Sequence, residues 1–168
     1  NCWINSMKNK NLIYIHSYKE YFFDRTRYKS FFDKTFFRKE LEEFNFKICD
    51  QKYDGICDHL ILNNMEKIIK DKKNNFVIFL TVNNHIPVEP VYDIPYIDCK
   101  ENFPLNLSEQ FCKLYNNQML FNESISKFIS RLSKNDLLVL FSDTPPMFAT
   151  KRRIHFEDLI DIYFISKK

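Results

Sequence analysis

The sequence predicts an α/β fold in which a mostly parallel or mixed sheet is flanked by helices. Three observations indicate it: apolar runs of strand length, longer segments with apolar residues at three- and four-residue steps, and alternation between the two kinds along the chain. The 168 residues are 45% apolar and include 18 Phe and 9 Tyr, so the chain can bury a core without needing a metal or a disulfide. Because no internal repeat or Ser/Gly linker is present, we expect residues 1–168 to form a single domain.

Short runs rich in β-branched and aromatic residues are predicted to be strands: Leu12–His16, Phe76–Val82, Leu137–Phe141 and Leu159–Ile165. Phe76–Val82 is an apolar run of the kind expected of a strand that is covered on both faces in a parallel sheet. We expect Leu137–Phe141 to be buried as well.

Two segments have the spacing of amphipathic helices. Cys57–Ile69 places apolar residues at three- and four-residue steps, which predicts one helix with a buried face. Phe111–Leu132 keeps the same spacing over a longer stretch, and Asn106 with Glu109 resembles a capping box at its start. We therefore expect a long helix here.

Two other segments have no clean period. Between Tyr21 and Phe46, aromatic residues are interleaved with charged ones, and we expect loops and short helices over a core. Between Val88 and Asn106, several prolines exclude regular structure and predict a long irregular loop. Such a loop beside the end of a strand is usually functional.

The composition excludes several classes of protein. Phosphate-cradling loops and dinucleotide-binding turns need several glycines, and this chain has one, so a P-loop or Rossmann enzyme is excluded. The 25 Lys and Arg residues against 22 Asp and Glu leave a net charge of +3 and form no basic stripe, so we expect no nucleic-acid partner. The apolar runs are also too short to cross a bilayer.

Polar residues stand at the carboxyl ends of three predicted strands: His16-Ser17, Asn83-Asn84-His85 and Ser142-Asp143-Thr144. In open α/β sheets ligands bind at this edge, because the loops there can vary in sequence while the strands fix the positions of the loop ends. The imidazole of His85 and the carboxylate of Asp143 are groups that a zinc or manganese site would use. Structural hydrogen bonding by both residues remains the alternative.

These segments resemble the sulfatase-like branch of the alkaline phosphatase superfamily. Thr81–Pro87 is similar to the branch's His-x-Pro motif at a strand end. The helix Leu107–Leu132, followed by Leu138–Asp143, resembles its next motif, in which a strand ends in a metal-binding Asp-His pair. Tyr14–Ser17 and Phe22–Arg25 resemble an earlier strand and its loop. The chain is most similar to phosphoethanolamine transferases and lipoteichoic acid synthases, which implies an incomplete alkaline phosphatase/sulfatase-like fold.

The resemblance implies that residues 1–168 are the C-terminal part of the sulfatase-like catalytic domain of a metal-dependent transferase. It would move a phosphoethanolamine-type phosphoryl group from a phospholipid donor to lipid A or a glycan through a covalent phospho-Thr. Asp143 and His85 would bind the zinc or manganese ion, and His85, His155 and Arg153 would contact the substrate. The family's nucleophile precedes the Leu12–His16 strand, so we expect it to lie outside this chain.

Thr144 stands where the family has the His of its Asp-His pair, so metal binding by this chain is an open question. A sulfatase or phosphodiesterase-type hydrolase is the alternative enzyme. A non-catalytic relative that binds a glycan or lipid is the alternative of another class.

The resemblance also implies two disulfides, Cys49–Cys57 and Cys99–Cys112. Disulfides persist in the periplasm and not in the cytosol, so they would fit an exported domain at the extracytoplasmic face of the inner membrane. Its membrane anchor would be a segment that this chain does not contain. A cytosolic domain with five free thiols remains the alternative.

Overall fold

The computed structural model describes residues 7, 9–50, 54–70, 74–85, 87–99, 109–141 and 162–166. The chain divides into two compact units, Asn1–Ser124 and Ile125–Lys168. The single domain expected over residues 1–168 stays a prediction. The elements in chain order are β1 (Asn11–His16), a 3₁₀ helix (Phe22–Phe31), β2 (Lys34–Phe36), α1 (Arg38–Glu42), β3 (Ile48–Asp50), β4 (Gly55–Ile56), α2 (Asp58–Asn63), α3 (Met65–Ile69), β5 (Asn75–Leu80), α4 (Glu109–Arg131), β6 (Leu137–Phe141) and β7 (Ile162–Ser166).

The first unit contains a parallel sheet with the strand order β2-β1-β5. This confirms the predicted α/β class and the predicted strands at Leu12–His16 and Phe76–Val82, although β5 ends at Leu80. His16 stands opposite Leu80 in the register of β1 and β5. Because the two strands are parallel, their carboxyl ends lie at the same edge of the sheet.

The short strand β2 is a correction to the sequence analysis, which expects only loops and short helices between Tyr21 and Phe46. With three residues, β2 is too short to show a period of two, so pairing with β1 decides its conformation. The carboxylate of Asp33, just before β2, accepts a hydrogen bond from the backbone N–H of Leu12 at 2.8 Å. The 3₁₀ helix and α1 confirm the short helices expected there.

The single helix predicted over Cys57–Ile69 is two helices, α2 and α3. Asn64 separates them with a non-helical backbone (φ −114°, ψ 16°). Its side-chain amide donates to the Leu60 carbonyl at 2.9 Å, and such local bonding by Asn competes with a helical backbone. Buried apolar residues continue on both sides of Asn64, with Ile61 and Leu62 in α2 and Met65 and Ile68 in α3, so the apolar spacing does not reveal the break.

The long helix predicted over Phe111–Leu132 is confirmed by α4. The proposed capping residue, Asn106, lies outside the described residues. As predicted, residues 87–99 form no helix or strand.

In the second unit, β6 pairs antiparallel with β7, with Leu137 opposite Ser166. The strand itself is predicted correctly, but the expectation that it is buried is wrong. Leu137 is 63% exposed and Phe141 is 66% exposed. An apolar run indicates strand propensity, whereas cover on its faces comes from other elements. Residues 159–161 of the last predicted strand lie outside the described part.

Both predicted disulfides, Cys49–Cys57 and Cys99–Cys112, are present. The first links β3 to the residue before α2, and the second links the irregular segment 87–99 to α4. Two buried α4 side chains add to this attachment. Asn116 exchanges hydrogen bonds with the backbone of Ile97, and Asn117 accepts from the N–H of Val91 at 3.1 Å. The loop therefore runs along α4 in a defined position.

The buried carboxylate of Asp58, at the start of α2, connects the ends of β1 and β5. Its Oδ1 accepts from the Ser17 hydroxyl at 2.9 Å, directly after β1. Its Oδ2 accepts from the backbone N–H groups of Val82 and Asn83, both at 2.7 Å, directly after β5. In return, the Asp58 N–H donates to Asn83 Oδ1 at 2.6 Å. Hydrogen bonds to a buried charge are strong, so these bonds hold the two strand ends together.

We predict that Asp58→Asn destabilises the protein by about 3 kcal/mol, because an amide group replaces a charged acceptor that faces several donors. Ser17→Ala removes one neutral donor and should cost about 1 kcal/mol. Urea unfolding measures both free energies. Equal effects of the two variants would show that the Asp58 carboxylate does not organise this edge.

We also predict that Gly55→Ala destabilises the protein by about 1–3 kcal/mol, because a methyl group on Gly55 would overlap the ring of buried Tyr18. Thermal unfolding checks this against Lys39→Ala, which truncates an exposed helix side chain to a methyl group and should change the stability little. In a Tyr18→Leu background, which relieves the overlap, the cost of Gly55→Ala should shrink. An unchanged cost there would contradict the steric explanation.

Candidate functional site

His85 lies at the carboxyl edge of the parallel sheet, in the turn that follows β5. Its backbone N–H donates to the Val82 carbonyl at 2.9 Å and closes this turn, while its side chain is exposed. The buried side chain of Asn83 fixes the start of the turn through its bonds with Asp58. An exposed imidazole on a fixed turn can reach a ligand at this edge; its role as a ligand of metal or substrate stays a prediction.

His16 ends the neighbouring strand β1 and is fully buried. The backbone N–H of Tyr18 donates to its Nδ1 at 3.1 Å, which assigns the proton of the neutral ring to Nε2. That Nε2 atom is buried and has no hydrogen-bond partner among the described residues. Burial, together with the positive charge of Arg25, lowers the pKa of His16 to about 4. At neutral pH His16 is therefore a neutral ring whose N–H donor has no acceptor within the described ranges.

The guanidinium of Arg25 places a positive charge near the ring of His16. It lies in the 3₁₀ helix, directly after Asp24, whose φ of 55° is uncommon for a residue other than glycine. The hydroxyl of Tyr14, two residues before His16 on β1, is buried without a partner in the described part of the chain. Burial raises the pKa of Tyr14, and the charge of Arg25 opposes that rise. An imidazole N–H, a phenol and a guanidinium near one another suit the oxygens of an anion.

From the sequence, His16 is one of the polar residues at the predicted ligand-binding edge but has no assigned role, and Arg25 belongs only to a segment similar to the family. A polar residue at the end of an apolar strand was the available signal for His16. Arg25 gave no such signal, because the chain around it is rich in charged residues and only the fold brings it close to β1.

A shallow cleft next to this edge is lined by residues that include His59, Thr81, Asn84 and Phe121. Asp58 also borders it, but hydrogen bonds from Ser17 and two backbone N–H groups already engage that carboxylate. The lining offers amide, hydroxyl and imidazole groups and no cationic side chain. The cleft is therefore a poorer place for an anion than the region around His16 and Arg25.

The other predicted site residues, Asp143, Arg153 and His155, lie outside the described residues, as does Thr144. The approach of Asp143 to His85 thus stays a prediction. An imidazole and a carboxylate remain a suitable donor pair for zinc or manganese. Among the described helices, none combines the length and apolarity that a bilayer span requires.

Comparisons with known proteins agree on one family. The sequence profile of the sulfatase family matches residues 4–158 of this chain. No curated protein sequence gives a significant match. Several solved structures have the same fold at low sequence identity, and three of them are described next.

The phosphoglycerol transferase GacH from Streptococcus pyogenes, solved with sn-glycerol-1-phosphate, has a TM-score of 0.68 and 19% identity over 95% of this chain and 44% of its own. The lipoteichoic acid synthase LtaP from Listeria monocytogenes has a TM-score of 0.63 and 17% identity over 88% of this chain and 39% of its own. A protein in the alkaline phosphatase superfamily from Vibrio parahaemolyticus has a TM-score of 0.65 and 14% identity over 98% of this chain and 40% of its own.

This chain therefore spans less than half the length of each of these neighbours. The profile match covers most of its residues, and the similar structures share its α/β architecture. The chain belongs to the sulfatase family, within the sulfatase-like branch of the alkaline phosphatase superfamily.

Proposed function

We propose that this chain is part of a metal-dependent phosphoryl transferase that acts on a lipid or glycan of the cell envelope. The observation that carries the proposal is the register of the parallel sheet, which brings the ends of β1 and β5 to one edge. His16 and His85 stand at this edge. Sulfatase-family membership supports chemistry on a phosphoryl or sulfuryl group there.

In this proposal, His16 and Arg25 bind the oxygens of the phosphoryl group. The Nε2–H of His16 donates one hydrogen bond, and the guanidinium of Arg25 supplies a positive charge. A preorganised donor beside a fixed positive charge stabilises the charge that develops in phosphoryl transfer. Because His16 is fully buried, binding through Nε2 requires a local opening of the structure that exposes this atom.

Members of the superfamily are generally metal-dependent, and zinc or manganese is the ion we propose. Asp143 and His85 would hold it, and Arg153 and His155 would contact the substrate. When bound, such an ion lowers the pKa of an attacking hydroxyl and neutralises charge on the transferred group. The side chains described above bind and orient the phosphoryl oxygens.

The names of two structural neighbours bear on which phosphoryl group is transferred. The sequence analysis predicts phosphoethanolamine, whereas the neighbours named as a lipoteichoic acid synthase and a phosphoglycerol transferase favour glycerol phosphate. Both are phosphomonoesters that a phospholipid donor can supply, with lipid A or a glycan as the acceptor. The two present disulfides support an extracytoplasmic location at the membrane.

We predict that His16 remains neutral well below pH 6.5. Its pKa in the folded protein is about 4, below the ordinary value of 6.5, so the unfolded chain binds more protons between these values. The free energy of unfolding has its full value above pH 6.5. It decreases, by roughly 3 kcal/mol, as the pH falls toward 4. NMR titration of the ring measures this pKa, and Arg25→Gln should raise it. A ring that titrates near pH 6.5 would contradict the buried geometry.

We predict that the full-length protein releases diacylglycerol from a phospholipid with a glycerol or ethanolamine headgroup when zinc or manganese is present. Arg25→Gln should lower kcat/KM by about 100-fold, as expected for loss of a group that stabilises the transition state. Arg27→Gln is the matched control, because Arg27 is exposed and pairs with Asp24.

The same assay, run separately with a glycerol-headgroup phospholipid and an ethanolamine-headgroup phospholipid, shows which headgroup the protein transfers. Release to water without an acceptor would favour the hydrolase. Absence of any release, with the metal bound, would favour the non-catalytic relative and refute the proposed function.

A further inference from the structure

A cluster of metal-binding side chains lies outside the proposed phosphoryl site. The sulfur atoms of Cys49 and Cys57 and a ring nitrogen of His59 all lie within 4.8 Å of one another. Both cysteines are buried, and His59 is half-buried. The Nδ1 atom of His59 is buried and has no hydrogen-bond partner among the described residues. Two sulfurs and one imidazole are a donor set typical of zinc sites.

The scaffold around these donors is held independently of the sulfurs. Cys57 stands directly before α2, and its backbone N–H donates to the Lys47 carbonyl at 3.2 Å. His59 lies in the first turn of the same helix, next to Asp58. The β3–β4 hairpin carries Cys49 toward them. The three donors therefore remain close when the bond between the sulfurs is opened.

The carboxylate of Asp93 lies close enough to His59 for its charge to act on that ring. Burial lowers the pKa of His59, and the negative charge of Asp93 opposes that shift. The Asp93 carboxylate is exposed and pairs with Lys47 Nζ at 2.7 Å. Tetrahedral zinc takes four ligands, so Asp93 or a water molecule can complete the set.

We propose that the reduced form of this protein binds a zinc ion through Cys49, Cys57 and His59. Reduction by a dithiol opens the Cys49–Cys57 bond and leaves two thiols, while the dithiol becomes a disulfide. Each thiol then loses a proton when it binds the metal. The same sulfurs cannot form a disulfide and bind zinc as thiolates, so the two states exclude each other. The ion and the disulfide are alternative cross-links between β3 and the start of α2.

Cobalt(II) is the probe, because cobalt bound by thiolates gives a charge-transfer absorption that oxygen and nitrogen ligands do not give. The full-length protein is reduced with a phosphine, which takes up one oxygen from water for each disulfide opened, and is then titrated anaerobically. We expect one equivalent of cobalt to produce this band, and zinc to remove it. The metal site proposed at Asp143 and His85 contains no sulfur and stays silent, so this result is independent of the proposed function.

The variants identify the ligands. His59→Gln should weaken cobalt binding by at least about tenfold, and Cys49→Ser should abolish the band. A Cys99→Ser, Cys112→Ser double variant should keep it, since Asn116 lies beside that pair of sulfurs and the described residues place no third metal ligand there. An unchanged band in His59→Gln, or its loss in the Cys99 and Cys112 variant, would overturn the proposal.

Alkylation of the wild-type protein gives a result even where a variant fails to fold. Zinc should slow the reaction of iodoacetamide with Cys49 and Cys57 in the reduced protein, and it should leave Cys99 and Cys112 unprotected. Mass spectrometry of the alkylated peptides measures both pairs. Equal alkylation of Cys49 and Cys57 with and without zinc would refute the site.

Discussion

The carboxylate of Asp58 is the interaction on which the arrangement of the first unit depends. A buried charge is tolerated when strong donors surround it, and here these donors come from Ser17, Val82 and Asn83. Since these donors follow β1 and β5, one side chain aligns the two strand ends that carry His16 and His85. Because the buried carboxylate needs these hydrogen bonds, the two strand ends are held in fixed positions, and this fixes the geometry of the candidate site.

The two histidines at this edge differ in what they can do. His16 is buried and neutral, and its donor has no acceptor in the part of the chain that the structure describes, whereas His85 is exposed on a turn. A buried neutral donor suits recognition of phosphoryl oxygens, and an exposed imidazole suits a ligand that arrives from solvent. Burial, helped by the positive charge of Arg25, keeps His16 neutral, and that charge is the feature of this edge that suits an anionic ligand. The unusual backbone at Asp24 is the local strain that accompanies this placement.

The cysteines act as attachments for segments that lack regular structure. Cys99–Cys112, together with Asn116 and Asn117, holds the loop after β5 along α4. Asn117 also donates to the Asn83 carbonyl at 3.1 Å, so the loop, the helix and the turn before His85 share one hydrogen-bond network. Cross-links of this kind replace the strand pairing that an irregular segment does not have.

The amino-acid sequence by itself determined the α/β class, the strands β1, β5 and β6, and the helix α4, because periodicity and composition are local properties. Its resemblance to the family also predicted both disulfides and the family itself. Only the tertiary structure decided that β2 is a strand, that a helix breaks at Asn64, and that β6 is exposed. It alone placed Asp58 and Arg25 beside residues distant in the chain. Burial and pairing with distant segments decide these features, and no local pattern encodes either one.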